Sequence, residues 1–462
     1  MKRDPNRKFW NPDIETMPRE ELKKLQMKRL KKQIKYNYEN SIFYREQFDL
    51  ARIKPKDIQT FSDFTHLPTM NKDVHRQCQE ISVERFGHPY GMLACAPIDK
   101  LVRINSTSGT TGVPTLYTLT QHDIAINREF HSRKLWLRGI RPGDIILHAV
   151  GMSMFVSGIP VVDGIQEYGA CIVPVGLEAG ISRILQYWEL CKPGYMETTP
   201  SFAEYLIQKC PEILGKAATE IGMKGMVVGA EPGGEMPEVR KRIIEGLNLS
   251  WLANNRGASD PFHGTSCDSS SIELTRGMHL VSEDYCILEL LDPETKKSLD
   301  LEDGTTGEMC YTYLGWEGTP LQRYCLGDML EVFTSPCECG ATSLRFKIFG
   351  RSDDMLMIKG VKLFPGALKN FMAGFRPRVT GEFRILLDAP GPRVNPPLKV
   401  QVEFGEDLTR EDLPDLEKEM RQRAHEILRI TPEIEFVPAN TFEHATYKSD
   451  YIVKQYMQEK TQ

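Results

Sequence analysis

A loop rich in glycine and hydroxyl side chains, at residues 106–115, constrains this chain more than any other feature. It reads Ser-Thr-Ser-Gly-Thr-Thr-Gly-Val-Pro-Thr. Glycine lets backbone N–H groups approach an anion closely, and the hydroxyls add further donors. Val113 stands near the place where a Walker A loop has its lysine, so another type of phosphate loop is indicated. A loop without a ligand is the alternative that these residues alone leave open. The candidate phosphate-binding residues are Thr107, Ser108, Gly109, Thr110, Thr111 and Gly112.

A second segment, at residues 350–360, reads Gly-Arg-Ser-Asp-Asp-Met-Leu-Met-Ile-Lys-Gly. This order is typical of a strand edge, a charged pivot and a tight turn that opens a small C-terminal unit. We therefore predict a large domain over residues 1–350 and a small domain over residues 351–462. The hinge between them is expected near Asp353.

Length and composition agree with a two-domain protein. The chain has 462 residues, more than one hydrophobic core usually organises. Its net charge of −5 gives no reason to expect a nucleic-acid partner. No apolar run approaches the roughly 18 residues of a membrane span, so no membrane partner is expected. Eleven scattered cysteines do not form a disulfide framework, and we predict a reduced, cytoplasmic protein.

The hydrophobic pattern predicts an α/β fold. Between residues 144 and 314, short apolar strands alternate with helical patterns, which is typical of βαβ units and mainly parallel sheets with flanking helices. After residue 350 the pattern changes to half-exposed strands and one amphipathic helix, at residues 411–428. We expect the C-terminal unit to be a small, mobile α+β domain. The predicted buried face of its helix comprises Leu413, Leu416, Met420, Ala424 and Ile427.

The glycine-rich loop and the segment at residues 350–360 together resemble the signature of the adenylate-forming, acyl-CoA synthetase superfamily. Within it the chain resembles the phenylacetate–CoA ligase branch, over residues 17–455. Residues 229–232 are similar to that branch's adenine-contacting turn, and residues 307–329 to its ribose-binding segment. The resemblance implies that ATP with Mg²⁺ converts a carboxylic acid to an acyl-adenylate, releasing pyrophosphate. Coenzyme A then takes the acyl group and AMP leaves.

The resemblance also implies roles for single residues in binding the nucleotide. Asp328 would accept hydrogen bonds from the ribose hydroxyls. Arg351 would contact the ribose or the α-phosphate, a task suited to a planar guanidinium. The adenine turn would comprise Ala230, Glu231 and Pro232.

Near the nucleotide, one position departs from the family pattern and another keeps its carboxylate. Family members have an aromatic residue and an acid in the segment that corresponds to residues 256–260. Here Arg256 stands for the usual tyrosine, and Asp260 keeps the carboxylate that helps to hold Mg²⁺. Arg256 either stacks on the adenine or pairs with a second acidic group of the substrate.

The catalytic lysine of the family corresponds to Lys448. A cation there would stabilise negative charge that develops at the α-phosphate during adenylation. Lys454 is the alternative, because Tyr447 replaces the glycine that usually precedes this lysine.

Cysteine and histidine positions predict a structural Zn²⁺. The resemblance implies a closed, four-coordinate site. Its ligands would be Cys267, His279, Cys337 and Cys339. His263 is the alternative to His279 as the fourth ligand, and a set of ordinary buried thiols is the alternative to a metal site.

The expected substrate is an aromatic or arylacetic acid, because the branch uses such acids. Met152 and Phe155 lie in an apolar, glycine-bracketed segment that would form a pocket wall, although a core segment would look the same. Transfer to a carrier protein or an amine, in place of coenzyme A, is one alternative. A nucleotide-binding relative without catalysis is another. The oligomeric state stays open, with a homodimer as one expectation.

Overall fold

The computed structural model describes residues 7–107, 113–154, 156–257, 262–274, 276–442 and 451–458. Helices and strands alternate along most of these ranges. The helices are α1 (Pro12–Glu15), α2 (Arg19–Asn40), α3 (Ile42–Leu50), α4 (Phe61–Phe64), α5 (Lys72–Phe86), α6 (Gln121–Leu137), α7 (Ile159–Tyr168), α8 (Ile181–Cys191), α9 (Pro200–Leu214), α10 (Pro237–Leu247), α11 (Pro365–Ala373), α12 (Leu413–Leu428) and α13 (Gln455–Gln458).

Within the described ranges the strands form one large sheet and three small ones. They are β1 (Met70–Asn71), β2 (Arg103–Ser106), β3 (Leu116–Leu119), β4 (Ile145–His148), β5 (Cys171–Pro174), β6 (Tyr195–Thr198), β7 (Gly225–Gly229), β8 (Trp251–Arg256), β9 (Gly264–Ser266), β10 (Met278–Leu280), β11 (Cys286–Leu291), β12 (Ser298–Leu299), β13 (Thr306–Tyr313), β14 (Tyr324–Phe333), β15 (Arg345–Arg351), β16 (Leu356–Ile358), β17 (Val361–Leu363), β18 (Val379–Leu387), β19 (Lys399–Phe404), β20 (Glu433–Val437) and β21 (Ile452–Lys454).

The large sheet has a parallel half and an antiparallel half. Its order among the described residues is β12-β11-β13-β14-β15-β10-β9-β8-β7-β6-β4-β5, with β1 beside β14. From β5 to β8 neighbouring strands are parallel, as the alternation of strands and helices predicts. From β8 to β12 they are antiparallel. The α/β fold class is therefore confirmed, and the antiparallel half is an addition that the hydrophobic pattern did not separate from the parallel half.

The C-terminal part has a sheet and an apolar core of its own. Strands β20, β19, β18 and β21 form a four-stranded sheet. Helix α12 contributes Leu416, Met420 and Ala424 to the core beneath it, as its periodicity predicts. Ile427, in the last turn of α12, is instead 59% exposed. None of the helices in the described ranges has both the length and the apolar character of a membrane-spanning helix.

A buried carboxyl near the N-terminus gives the fold a pH-dependent stability. Glu15 is only 8% exposed, and burial raises its pKa from 4.5 to about 7, although the backbone N–H of Asn11 and the charge of Arg133 act in the opposite direction. The folded protein therefore retains this proton at pH values where the unfolded chain has lost it. As pH rises from 4.5 to 7, the free energy of unfolding should fall by up to about 3 kcal/mol through this group.

Glu15→Gln should remove this fall in the free energy of unfolding at higher pH, because glutamine resembles the protonated acid. We expect the variant to gain up to about 3 kcal/mol over the unsubstituted protein at pH 8 and little at pH 5. Urea unfolding at both pH values measures the difference. Glu20→Gln, at an exposed position of α2, is the control. If both variants keep the pH dependence of the unsubstituted protein, Glu15 does not titrate as described.

Candidate active site

The glycine-rich loop connects the two strands of the β2–β3 hairpin. At its base the Thr107 N–H donates to the carbonyl oxygen of Thr115 (3.2 Å), and the hydroxyls of the two threonines lie 2.8 Å apart. The N–H of Ser106 donates to the carbonyl oxygen of Met154 (2.9 Å), in the segment that follows β4. The structure thus places Thr107 beside the ends of the parallel strands. The other predicted phosphate-binding residues, at 108–112, lie outside the described residues.

The predicted adenine turn follows β7 and has an unusual backbone. Ala230 adopts φ +70°, in the left-handed region that costs a residue with a side chain about 1–2 kcal/mol. Glu231 accepts hydrogen bonds from the N–H of Ser201 (2.7 Å) and from its hydroxyl. Ser201 lies in the first turn of α9, where the helix dipole favours a carboxylate. Helix α9 therefore holds Glu231, the middle residue of the turn that ends at Pro232.

Asp328 lies between two guanidinium groups. It is directly opposite Arg351 in the pairing of β14 with β15, and its Oδ1 is 3.5 Å from Nη1 of Arg351. Its Oδ2 is 3.9 Å from Nη2 of Arg256, the last residue of β8. Since Asn255 pairs with Gly229 of β7, Arg256 also lies at the strand end next to the adenine turn. The structure thus brings Arg256, Asp328, Arg351 and the turn to one edge of the sheet.

The guanidinium of Arg256 also contacts Phe262, six residues later in the chain. It donates to the carbonyl oxygen of Phe262 (2.8 Å) and lies 4.5 Å from the centre of the Phe262 ring. A guanidinium favours such stacking on an aromatic face. Asp260 lies in the intervening segment, outside the described residues.

Arg351 connects Asp328 with the predicted hinge. Its Nε and Nη2 donate to the two carboxylate oxygens of Asp353, at 2.8 and 2.6 Å. Burial disfavours its charge, but the hydrogen bonds to Asp353 and the charge of Asp328 raise the pKa of Arg351 above its usual value. Arg351 therefore stays charged while it contacts both acids. Asp353 itself is exposed.

Four side chains from three separate segments form a potential metal site. The ligand atoms of Cys267, His279, Cys337 and Cys339 all lie within 4.8 Å of one another. Sγ of Cys267 is 3.6 Å from Sγ of Cys337, and Sγ of Cys339 is 3.3 Å from Nε2 of His279. Ligands around a tetrahedral Zn²⁺ stand about 3.5–3.8 Å apart, given Zn–S of about 2.3 Å and Zn–N of about 2.0 Å. The donor set and its spacing fit zinc.

The two candidate histidine ligands, His279 and His263, have different neighbours. Nδ1 of His279 lies 3.0 Å from the hydroxyl of Ser343, which leaves Nε2 to face the cysteines. Such a partner is usual behind a metal-ligating histidine. His263, the alternative ligand, packs instead against the rings of Phe130 and His131, both at 5.1 Å.

The predictions for the pocket wall and for the catalytic lysine concern four residues, of which two are described. Phe155 and Lys448 lie outside the described residues. Met152 is half-buried, and its N–H donates to Oε1 of Glu178 (2.8 Å). Lys454, the alternative to Lys448, is exposed on β21.

Sequence reasoning did not single out two charged residues near these groups. Burial raises the pKa of Glu235 to about 7, against the charge of Lys347. Glu235 lies three residues beyond Pro232, and Nδ2 of Asn254 is 3.5 Å from its carboxylate. Lys369 contacts the turn itself from α11. Neither residue belongs to a motif, so only the folded chain shows that they are close to the turn.

Characterised relatives match nearly the whole chain. A phenylacetate–coenzyme A ligase of Thermus thermophilus is 31% identical over 420 residues, covering 90% of this chain and 90% of the relative. The chain belongs to the phenylacetate–coenzyme A ligase family. A member from Escherichia coli is 30% identical, covering 92% of each chain. Residues 360–455 match the AMP-binding enzyme C-terminal domain family.

The fold is that of a solved acyl-CoA ligase. The crystal structure of 2-hydroxyisobutyryl-CoA ligase in the postadenylation state superposes with a TM-score of 0.86 at 24% identity, covering 100% of this chain and 97% of the other. The same ligase in the thioesterification state, at 25% identity, gives 0.70 while covering 100% and 98%. The arrangement of the large and small parts here is therefore more similar to the former state.

Proposed function

We propose that this protein is an ATP-dependent carboxylate–CoA ligase that acts through an acyl-adenylate, with an aromatic or arylacetic acid as its substrate. Membership in the phenylacetate–coenzyme A ligase family supports the reaction class. The observation that carries the assignment to this site is the position of Asp328, between Arg256 and Arg351 and next to the turn after β7. A partly exposed carboxylate flanked by cations suits the hydroxyls of a ribose.

In the first half-reaction the substrate carboxylate attacks the α-phosphorus of ATP, and pyrophosphate leaves. Asp328 binds the ribose, Arg351 contacts the ribose or the α-phosphate, and residues 230–232 contact the adenine. Thr107 and residues 108–112 bind the remaining phosphates. Lys448 stabilises the charge that develops on the α-phosphate. Mg²⁺ would neutralise phosphate charge when bound, with Asp260 as its protein ligand.

In the second half-reaction the thiolate of coenzyme A attacks the acyl carbon, and AMP leaves. The bulky thiol needs access to a site that Lys448 covered during adenylation. A rotation of the small domain (residues 351–462) about Asp353 removes the lysine and opens that access. The ion pair between Arg351 and Asp353 lies at this pivot and would have to rearrange.

An aromatic acid is the favoured substrate, with Met152 and Phe155 in the pocket wall. The matched relatives are named for phenylacetate, an arylacetic acid, and this supports the choice. Methionine adapts to flat rings because its thioether is flexible and polarisable.

ATP–pyrophosphate exchange over a panel of carboxylic acids tests the function. We expect exchange with arylacetic or aromatic acids at least about tenfold faster than with short aliphatic acids, followed by thioester formation when coenzyme A is added. Exchange without thioester formation would favour a carrier protein or an amine as acceptor. No exchange with any acid would show a nucleotide-binding relative without catalysis.

We also propose a structural Zn²⁺ held by Cys267, His279, Cys337 and Cys339. The fit of their spacing to tetrahedral zinc supports it. The set joins β9 and β10 with the loop between β14 and β15, so the ion would stabilise the antiparallel half of the large sheet. Metal analysis of the purified protein should give about one zinc per chain.

A further inference from the structure

Lys369 connects the small domain to the adenine turn of the large one. It lies on α11, and its Nζ donates to the carbonyl oxygen of Pro232 (3.1 Å). On its other side the ammonium group lies 5.7 Å from the centre of the Tyr451 ring. One side chain thus contacts both the nucleotide-binding turn and the C-terminal segment.

Tyr451 is the first described residue after the segment that contains Lys448. Its carbonyl oxygen accepts a hydrogen bond from the N–H of Ile385 (2.7 Å). Its ring stacks on Phe383, with centroids 4.8 Å apart and 12° between the planes. Tyr451, three residues after Lys448 in the chain, is therefore held against β18.

The charge of Lys369 suits this position. Burial disfavours the ammonium form, but the carboxylate of Glu231 and the hydroxyl of Tyr451 raise the pKa of Lys369 above its usual value. Glu231 is in turn held by the N–H of Ser201. A cation on α11 therefore faces an acid that α9 holds in place.

An ion pair also joins the two domains next to α11. Nη1 of Arg376 lies 3.3 Å from Oε1 of Glu204, which also accepts from Nε of Arg242 (2.7 Å). Ala373, at the end of α11, is 6% exposed and belongs to the apolar cluster of the large domain. The contacts of α11 therefore depend on one orientation of the small domain.

We propose that Lys369 is a positioning residue for the adenylation half-reaction: with the Arg376–Glu204 pair, it holds the small domain in the orientation in which adenylation takes place. This inference rests on the proposed function. It adds a contact that stabilises the orientation for the first half-reaction and not the orientation for the second. Rotation about Asp353 would carry α11 away from Pro232 and break both contacts. They stabilise the adenylating orientation and play no part in thioester formation.

Three variants test this role in the full chain. Lys369→Gln removes the cation, Lys369→Arg keeps it, and Lys418→Gln is the control at an exposed position of α12. The readouts are ATP–pyrophosphate exchange with the preferred acid, and thioester formation from supplied acyl-adenylate and coenzyme A. We expect Lys369→Gln to slow exchange about tenfold or more while thioester formation stays within about twofold. Lys369→Arg should keep at least about a third of the exchange rate, and Lys418→Gln all of it.

Unequal effects on the two half-reactions distinguish positioning from a general structural role. Equal loss of both, or normal exchange in Lys369→Gln, would overturn the inference and leave the proposed function intact. No exchange in the unsubstituted protein would overturn both. If Lys369→Gln does not fold, Glu204→Gln provides the same test. It removes the charge that faces Arg376 and should slow exchange more than thioester formation, and an equal effect on both would again contradict the inference.

Discussion

Lys448→Ala should lower the rate of acyl-adenylate formation by about 10²–10³, because the lysine stabilises negative charge only as it develops on the α-phosphate. Thioester formation from supplied acyl-adenylate should be nearly unchanged, since the proposed rotation removes this residue before coenzyme A reacts. ATP–pyrophosphate exchange measures the first step. Thioester formation in the absence of ATP measures the second.

Lys454→Ala is the matched control for this substitution. Lys454 is the alternative catalytic lysine, and it lies exposed at the end of β21. We expect its exchange rate to stay within about twofold of the unsubstituted protein. A much lower rate of ATP–pyrophosphate exchange in Lys454→Ala, with a normal rate in Lys448→Ala, would identify Lys454 as the catalytic lysine. Equal loss of both half-reactions in Lys448→Ala would contradict the separation of roles.

Cys339→Ala should remove most of the proposed zinc, from about one ion per chain to below about 0.2. It deletes a thiolate from a closed four-ligand site. Because binding of a structural zinc contributes directly to folding, the thermal midpoint should fall by about 5 °C or more. Metal analysis and thermal unfolding with and without a chelator measure both effects.

Cys191→Ala is the control for the zinc prediction. Cys191 is also a free, half-buried thiol, but it ends α8 and is not part of the four-residue set. Its zinc content should match that of the unsubstituted protein, and a chelator should lower its midpoint to the same extent. Full zinc content in Cys339→Ala would contradict the assignment of this ligand. Much less than one zinc in the unsubstituted protein would contradict the site itself.

Local patterns in the sequence predicted the long helix of the C-terminal part. The 3.6-residue period of α12 is a property of a short segment, so the helix expected at residues 411–428 is found at Leu413–Leu428. The pattern of α12 failed at Ile427, which is exposed although it continues the apolar face. Periodicity shows which residues can share a face of a helix. It does not show how far the packing partner extends along that face.

The antiparallel half of the sheet could not be read in the same way. Short strands such as β9 and β10 have few residues, and their neighbours in the sheet are distant in the chain: β10 pairs with β15. Which strands pair is decided by the packing of the whole domain, and no short segment contains that information. The pattern alone therefore predicted the class of the fold better than the order of its strands.

The sequence by itself determined the family, the candidate nucleotide-binding residues and three candidate zinc-ligating cysteines, because each belongs to a motif whose residues have fixed chemical tasks. Only the tertiary structure decided that Asp328 lies between Arg256 and Arg351, and that His279 rather than His263 faces the cysteines. It alone placed Lys369 against Pro232. These are contacts between segments that are separated in the chain, and their geometry exists only once the whole chain has folded.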